Sequence, residues 1–222
     1  PSGMPRIICK IPMKRLFLID AYALVFKYYY ALFGRPMRNR HGMNTSVLFG
    51  FTKFLRDIQK RESPDLLGVA LDPKGGSFRN ALFADYKANR PETPEDIIAS
   101  VPYLRRLLHA MRIPVFEIEG YEADDILGTL ADMMEKSGNT CVIATGDRDS
   151  LQLVSQSTSV ALVSTKAGRT ETTLCDIPEI ASRYSGLTPD LLIDLKALMG
   201  DSSDNIPGVA GVGEKTAGAL VA

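Results

Sequence analysis

Nine acidic residues fall in five groups along the 222-residue chain: Asp20; Asp72; Glu122, Asp124 and Asp125; Asp147 and Asp149; and Asp201 with Asp204. The first four groups end or directly follow short apolar runs that read as strands; the fifth follows an apolar helical pattern. In open parallel α/β sheets the crevice outside the carboxyl ends of the strands is where ligands bind, so the first four groups are expected to converge there. Carboxylates sharing one cleft repel each other, and such an arrangement is costly without cations. With no Cys or His near these acids, all-oxygen ligation points to Mg²⁺ or Mn²⁺ rather than Zn²⁺. Two such ions can activate a water and stabilise the leaving oxygen of an in-line phosphoryl displacement. Each acid taken alone also has a structural role open to it. Asp124 and Asp125 at a helix start would gain from the helix dipole, and Asp147 and Asp149 could cap the helix that follows.

Other chemistries have less behind them. His41 and His109 lie near none of these acids in sequence, and no Gly-x-Ser-x-Gly elbow is present. A phosphatase using Asp20 as nucleophile would want a second Asp two residues on, where the chain has Tyr22. The stretch Gly208-Val-Ala-Gly211-Val-Gly213-Glu-Lys215-Thr216 superficially suggests a Walker loop. Glu214 spoils the spacing, and the stretch follows a Pro-bearing turn rather than a strand. It reads better as a helix–hairpin–helix turn, whose glycines let backbone N–H groups approach a DNA phosphate at the next helix start.

The elements that must carry these residues follow from hydrophobic patterning. Strands are expected over Arg15–Asp20, Asp65–Asp72, Pro114–Glu119, Thr140–Thr145 and Val160–Ser164. Most are continuous in apolar residues, as strands covered on both faces should be. Thr93-Pro-Glu-Asp96 starts a helix, with Thr93 as N-cap and Pro94 first in the helix, and Pro102 suggests a second start near Ser100. Helices are also expected over Glu122–Glu135 and from Thr188 to Met199. Alternating strands and helices imply an α/β domain with a mostly parallel central sheet flanked by helices. The Gly-, Pro-, Asn- and charge-rich segment Asp72–Thr93 suits a mobile loop or lid over a site.

Net charge is zero, yet it is segregated. Lys27–Arg112 holds 15 basic and 8 acidic residues, whereas Ile113–Asp204 holds 6 basic and 16 acidic. A basic segment beside an acidic one suits an enzyme whose anionic, metal-filled site handles a polyanion. Cys9, Cys141 and Cys175 make no metal-type pair and leave one over in any disulfide scheme, which fits a reducing cytoplasm, with Cys141 buried in a strand. No apolar run approaches membrane-spanning length. Residues 1–13 read as a tag remnant and N-terminal extension, with Met4 or Met13 as the natural start.

Six blocks in order carry a family resemblance: Leu18-Ile-Asp20; Leu71-Asp72 with Ser77-Phe-Arg79; Tyr86-Lys87-Ala-Asn-Arg90; Gly120-Tyr-Glu-Ala-Asp-Asp125; Thr145-Gly-Asp-Arg-Asp149; and the run from Gly200 to Ala217. Together they resemble the 5′-nuclease (5′–3′ exonuclease) domain of bacterial DNA polymerase I, within the flap endonuclease superfamily. The resemblance implies a PIN-like, flap-nuclease fold: a nuclease core over 14–200, a helical arch at about 73–112 over the site, and a helix–hairpin–helix beginning in 201–222. It implies a metal-dependent nuclease that removes RNA primers and 5′ flaps in replication and repair. The nine acids match the family's metal ligands for two or more Mg²⁺ or Mn²⁺ ions. Lys87 and Arg90 match arch residues that approach the scissile phosphate. Lys27, Arg79, Tyr86, Gly208, Gly211, Gly213, Lys215 and Thr216 are the DNA-binding candidates, Tyr86 either stacking on a base or packing the arch. A K⁺ ion at the hairpin is also implied. The implied partners are DNA with a 5′ flap, nick or single-stranded 5′ end and RNA primer–DNA, handled by a monomer with no membrane and a fused polymerase domain. Lys27 stands where the family commonly has Arg, and Arg148 where Lys is frequent. The family's domain continues past Ala222, which leaves a non-catalytic, structure-specific DNA-binding fragment as the alternative.

Overall fold

A computed structural model describes residues 12–166 and 169–222. The expectations for Cys9 and for most of the 1–13 extension lie outside the described residues. Six strands form the central sheet: β1 (Arg15–Asp20), β2 (Leu66–Ala70), β3 (Val115–Phe116), β4 (Thr140–Thr145), β5 (Thr158–Lys166) and β6 (Arg169–Cys175), in the order β3-β2-β1-β4-β5-β6. All neighbours are parallel except the β5–β6 hairpin.

β1 shows why its sequence is apolar without alternation. Phe17 and Ile19 enter one hydrophobic cluster while Leu16 and Leu18 enter another on the opposite face. Successive side chains point to opposite faces, so a strand covered on both sides must be apolar throughout. The first cluster is completed by α1 (Ala21–Ala31), α2 (Ser46–Arg61) and α4 (Glu95–Ala110). The second is completed by α5 (Ala123–Lys136), α6 (Ile177–Arg183), α7 (Leu191–Met199) and α8 (Glu214–Val221). The result is the mostly parallel α/β sandwich expected from the sequence, with Cys141 buried in β4.

Several boundaries differ from expectation. β3 keeps two residues of the six expected, and Asp72 lies two residues beyond β2. The antiparallel edge strand β6 was not anticipated. Pro102 does not restart a helix; α4 runs through it. Pro102 and Ile98 are both exposed, so water can reach the carbonyl that the proline leaves without its usual partner. Pro94, not Thr93, is the N-cap of α4. The expected arch also shortens. Residues 95–110 are α4, whose Ile97, Leu104 and Leu108 are fully buried in the core, leaving 73–94 as the overhang with one short helix, α3 (Phe78–Leu82). Downstream, β7 (Gly200–Asp201) and β8 (Ile206–Pro207) make a small hairpin before α8.

The contact between α1 and α2 depends on Gly50. A Cβ there would come within 2.4 Å of Tyr28 Cγ, near the root of a side chain that is itself buried. Gly50→Ala is therefore expected to destabilise the fold by about 1–3 kcal/mol, as overpacked cores are. Urea unfolding should show a lower midpoint with an unchanged slope.

Candidate active site

From β1 the chain builds outward to β2 and β3 on one side and to β4 and β5 on the other. The switch point of a doubly wound sheet is a crevice by construction. Asp20, the last residue of β1, opens into it and is 6% exposed. It caps α1 by accepting from Ala23 N (3.1 Å), and Thr145 Oγ1, at the end of neighbouring β4, donates to its other oxygen (2.8 Å). The same Thr145 hydroxyl accepts from Asp147 N (3.0 Å), so one side chain ties two acidic groups together. Asp72 accepts from Ala123 N (2.7 Å) at the first turn of α5. Asp124 sits in that turn and accepts from Ser150 Oγ (3.2 Å). Asp20, Asp72, Glu122, Asp124 and Asp147 line one cavity of about 730 Å³, together with Lys74, Lys87 and Arg90. An adjoining cavity of about 530 Å³ adds Asp149 and Asp204.

Burial is the largest influence on the inner acids. It raises the Asp20 carboxyl to about 6, with the charges of Asp72 and Asp147 pushing the same way. It raises Asp124 to about 7, helped by Asp20 and Asp147. Asp72 is also raised by burial. The outer acids have cations instead. Lys87 Nζ lies 2.7 Å from Glu122 Oε2 and 4.0 Å from Asp204 Oδ2, while Arg90 is 2.5 Å from Asp204 Oδ1. Lys196 on α7 bridges Asp149 (2.6 Å) and Asp201 (3.0 Å). Burial pushes Glu122 upward, but Lys87, Ser77 and Tyr86 outweigh it and leave the carboxyl below its usual range. Asp201 is likewise held low, as hydrogen bonds from Ser203 and Lys196 outweigh burial.

The structure thus gathers eight of the nine expected acids around the two cavities, Asp201 through the Lys196 bridge. Asp125 is the exception. Arg79 takes both its oxygens (2.8 Å each), and the same carboxylate accepts from Glu122 N (2.9 Å). Arg79 is thereby committed as well, with its guanidinium 4.7 Å from the Phe78 ring centre. Tyr86 does not offer a stacking face. Its ring is buried, and its hydroxyl lies 3.0 Å from Glu122 Oε2 and 3.1 Å from Asp204 Oδ2, with one proton to serve them. Lys27 donates to Val163 O (2.7 Å) and lines a surface hollow beside Asp147.

At the hairpin, Gly208 serves packing, because a Cβ there would fall 2.2 Å from the Met199 carbonyl carbon. Gly211 has a φ of 80°, Gly213 is the N-cap of α8, and Lys215 and Thr216 are exposed in its first turn. From sequence, Ser150 and Lys196 had no place in the site, and Thr145 and Ser77 were named only within the resemblance blocks, with no role of their own. Only Thr145 had a usable signal, a hydroxyl at a strand end directly before an acidic turn.

The donor set is hard oxygen throughout and suits Mg²⁺ or Mn²⁺. Among the described residues, no three His, Cys, Asp or Glu side chains are already closed round one point at ligating geometry. The fit lies in the chemistry and shared cavity of the inner acids, whose mutual repulsion a divalent cation would relieve.

Comparison with known proteins gives two family models. The 5′-3′ exonuclease N-terminal, resolvase-like domain matches residues 15–185, and the 5′-3′ exonuclease C-terminal SAM fold matches 187–222. DNA polymerase I of Chloroflexus aurantiacus is 44% identical over 206 residues, covering 93% of this chain but 22% of the polymerase. That of Bacillus subtilis is 42% identical over 204 residues, covering 92% and 23% respectively. The chain therefore spans less than a quarter of these relatives. Among solved structures, bacteriophage T5 5′-exonuclease with bound zinc superposes with a TM-score of 0.73 at 22% identity, over 94% of this chain and 74% of that one. The likeness shows that the two share a fold.

Because folding raises the Asp20 and Asp124 carboxyls, the folded state binds their protons more tightly than the unfolded chain. Their contribution to stability is complete below about pH 4 and is lost as pH rises through about 6 to 7. Asp124→Asn removes one such burden. In chelator it should raise the thermal midpoint at pH 8, by up to about 2–4 kcal/mol in stability, and leave it near wild type at pH 4.

Proposed function

We propose that this chain, which belongs to the 5′-3′ exonuclease family, is a Mg²⁺- or Mn²⁺-dependent nuclease that cuts DNA, and RNA primers paired to DNA, at 5′ ends and flaps. We place it as the 5′-nuclease part of a longer polymerase acting in replication and repair. The observation that supports this best is the set of inner carboxylates in one crevice, with Lys87 and Arg90 lining the same cavity.

Asp20, Asp72, Asp124 and Asp147, with Glu122, would hold the ions. When bound, they would supply an activated water and charge stabilisation at the leaving oxygen. Asp149, Asp201 and Asp204 form the outer set. The chain's own residues do the positioning. Thr145 and Ser150 fix the rotation of Asp20 and Asp124 through single hydrogen bonds. Lys87 and Arg90 are paired with Glu122 and Asp204 here, and can exchange those oxygens for the nonbridging oxygens of a phosphate. Their fixed positive charge then favours the negative charge that develops during in-line displacement. Lys215, Thr216 and the backbone N–H groups at the start of α8 offer a second phosphate contact, away from the acids.

A defined 5′-flap substrate tests the reading. Cutting should require Mg²⁺ or Mn²⁺ and stop in chelator, and Lys87→Ala should lower single-turnover cleavage about 10²–10³-fold, as loss of one transition-state charge contact does. Flap retention in a gel shift without cutting, across metals and salt, would favour a DNA-binding role. Neither retention nor cutting would sink both.

A further inference from the structure

Lys87 has no helix to hold it. It lies in the turn-rich segment 83–90, and its φ of 58° is left-handed, a conformation that costs a non-glycine residue about 1 kcal/mol or more. Something outside the segment must hold it. Opposite lies the loop 202–205, where Asn205 is also left-handed, at φ 59°. The two loops exchange side-chain amides. Asn205 Nδ2 donates to Asp85 O (2.8 Å), and Asn89 Nδ2 donates to Ser202 O (2.7 Å). Between these bonds Lys87 N donates to Asp204 O (2.9 Å). The outcome is that Lys87 and Arg90, three residues apart, both reach Asp204, and Lys87 also reaches Glu122.

We propose that Asn89 and Asn205 are positioning residues, a reciprocal amide clasp that sets Lys87 and Arg90 against the acidic site. The proposal rests on the nuclease reading above. Neither of these amide bonds goes to an acidic side chain; both go to backbone carbonyls, so the two residues act through the loops they join. The clasp also spans the two halves of the site. Lys87 and Arg90 come from the overhang, Asp201 and Asp204 come from the β7–β8 hairpin over 110 residues later, and these bonds fix one against the other. Apart from Tyr86, residues 83–90 contribute nothing to the hydrophobic core. Loosening the clasp should therefore move the cations without unfolding the chain.

Two variants separate the amides from everything else these residues do. Asn205→Gly keeps the left-handed backbone accessible and removes the amide. Asn89→Asp keeps the size and puts an acceptor against the Ser202 carbonyl. Each is expected to lower single-turnover flap cleavage roughly 10- to 100-fold at saturating enzyme, as misplaced catalytic groups do. Flap affinity and thermal midpoint should stay at wild-type values, and the Lys87 amide should exchange hydrogen faster. Asn89→Gln, which retains the donor, should recover part of the rate. Wild-type cleavage in both Asn variants, alongside a slow Lys87→Ala, would overturn the clasp and leave the nuclease reading standing. Wild-type cleavage in Lys87→Ala itself would overturn that reading first. A rate loss matched by a lower thermal midpoint would reduce the two residues to structural ones and also overturn the proposal.

Discussion

Like charges crowded into a partly dry crevice are the constraint on which this structure turns. Two unit charges 4 Å apart repel by about 4 kcal/mol at the effective dielectric of a protein, and burial adds to that cost. The acids answer it in two ways. Glu122, Asp149, Asp201 and Asp204 form an outer ring with Lys87, Arg90 and Lys196 as partners. Among the described residues Asp20, Asp72 and Asp124 have hydrogen bonds from a backbone amide or a hydroxyl but no salt bridge, and their carboxyls shift upward. This inner group, only partly relieved at Asp72 by the more distant charges of Lys87 and Arg90, is where a cation would gain most.

The segregation of charge along the chain acquires a second meaning in the fold. Arg79–Asp125, Lys87–Glu122, Arg90–Asp204 and Arg105–Glu117 each join a cation of the basic segment to an anion of the acidic one. Part of the basic excess is therefore already engaged in neutralising the site. Under the proposed function, a phosphate entering the cleft would have to compete with carboxylates for Lys87 and Arg90. Arg79, held bidentately, is the hardest of these to recruit.

What could be read from sequence was whatever two-sided burial or a local turn dictates. Arg15–Asp20 and Thr140–Thr145 were legible to the residue because strands with helices on both faces cannot alternate. β6 was not, since Arg-Thr-Glu-Thr-Thr-Leu-Cys has the polar, threonine-rich look of an exposed edge. Pro102 misled because it lies on the exposed side of α4, where water can take the place of the backbone bond it removes. In the site, the convergence of the first four acidic groups was legible from their positions at or after strands, whereas Asp201 and Asp204 follow a helix and were reached only through the family resemblance. Lys196 was not, because its importance exists only once α7 lies beside Asp149, 47 positions earlier. Tyr86 could be read as stacking or packing, and only its burial and its two carboxylate neighbours separate the two.

The pairing of β1 with β4 has a consequence for tolerance to change. Ile19 lies opposite Ala144, so the next residues, Asp20 and Thr145, leave the sheet side by side. Adjacent strands are spaced about 4.8 Å apart by their backbone hydrogen bonds, whatever side chains they carry. The sheet thus acts as a gauge block for Asp20 and Thr145, and Asp147 is tied to that block through its N–H bond to the Thr145 hydroxyl. Loops can lengthen, shorten or be exchanged around that gap without resetting it. The overhang and the hairpin have no such gauge, so divergence there would retune which substrates reach the gap while the spacing of its floor stayed the same.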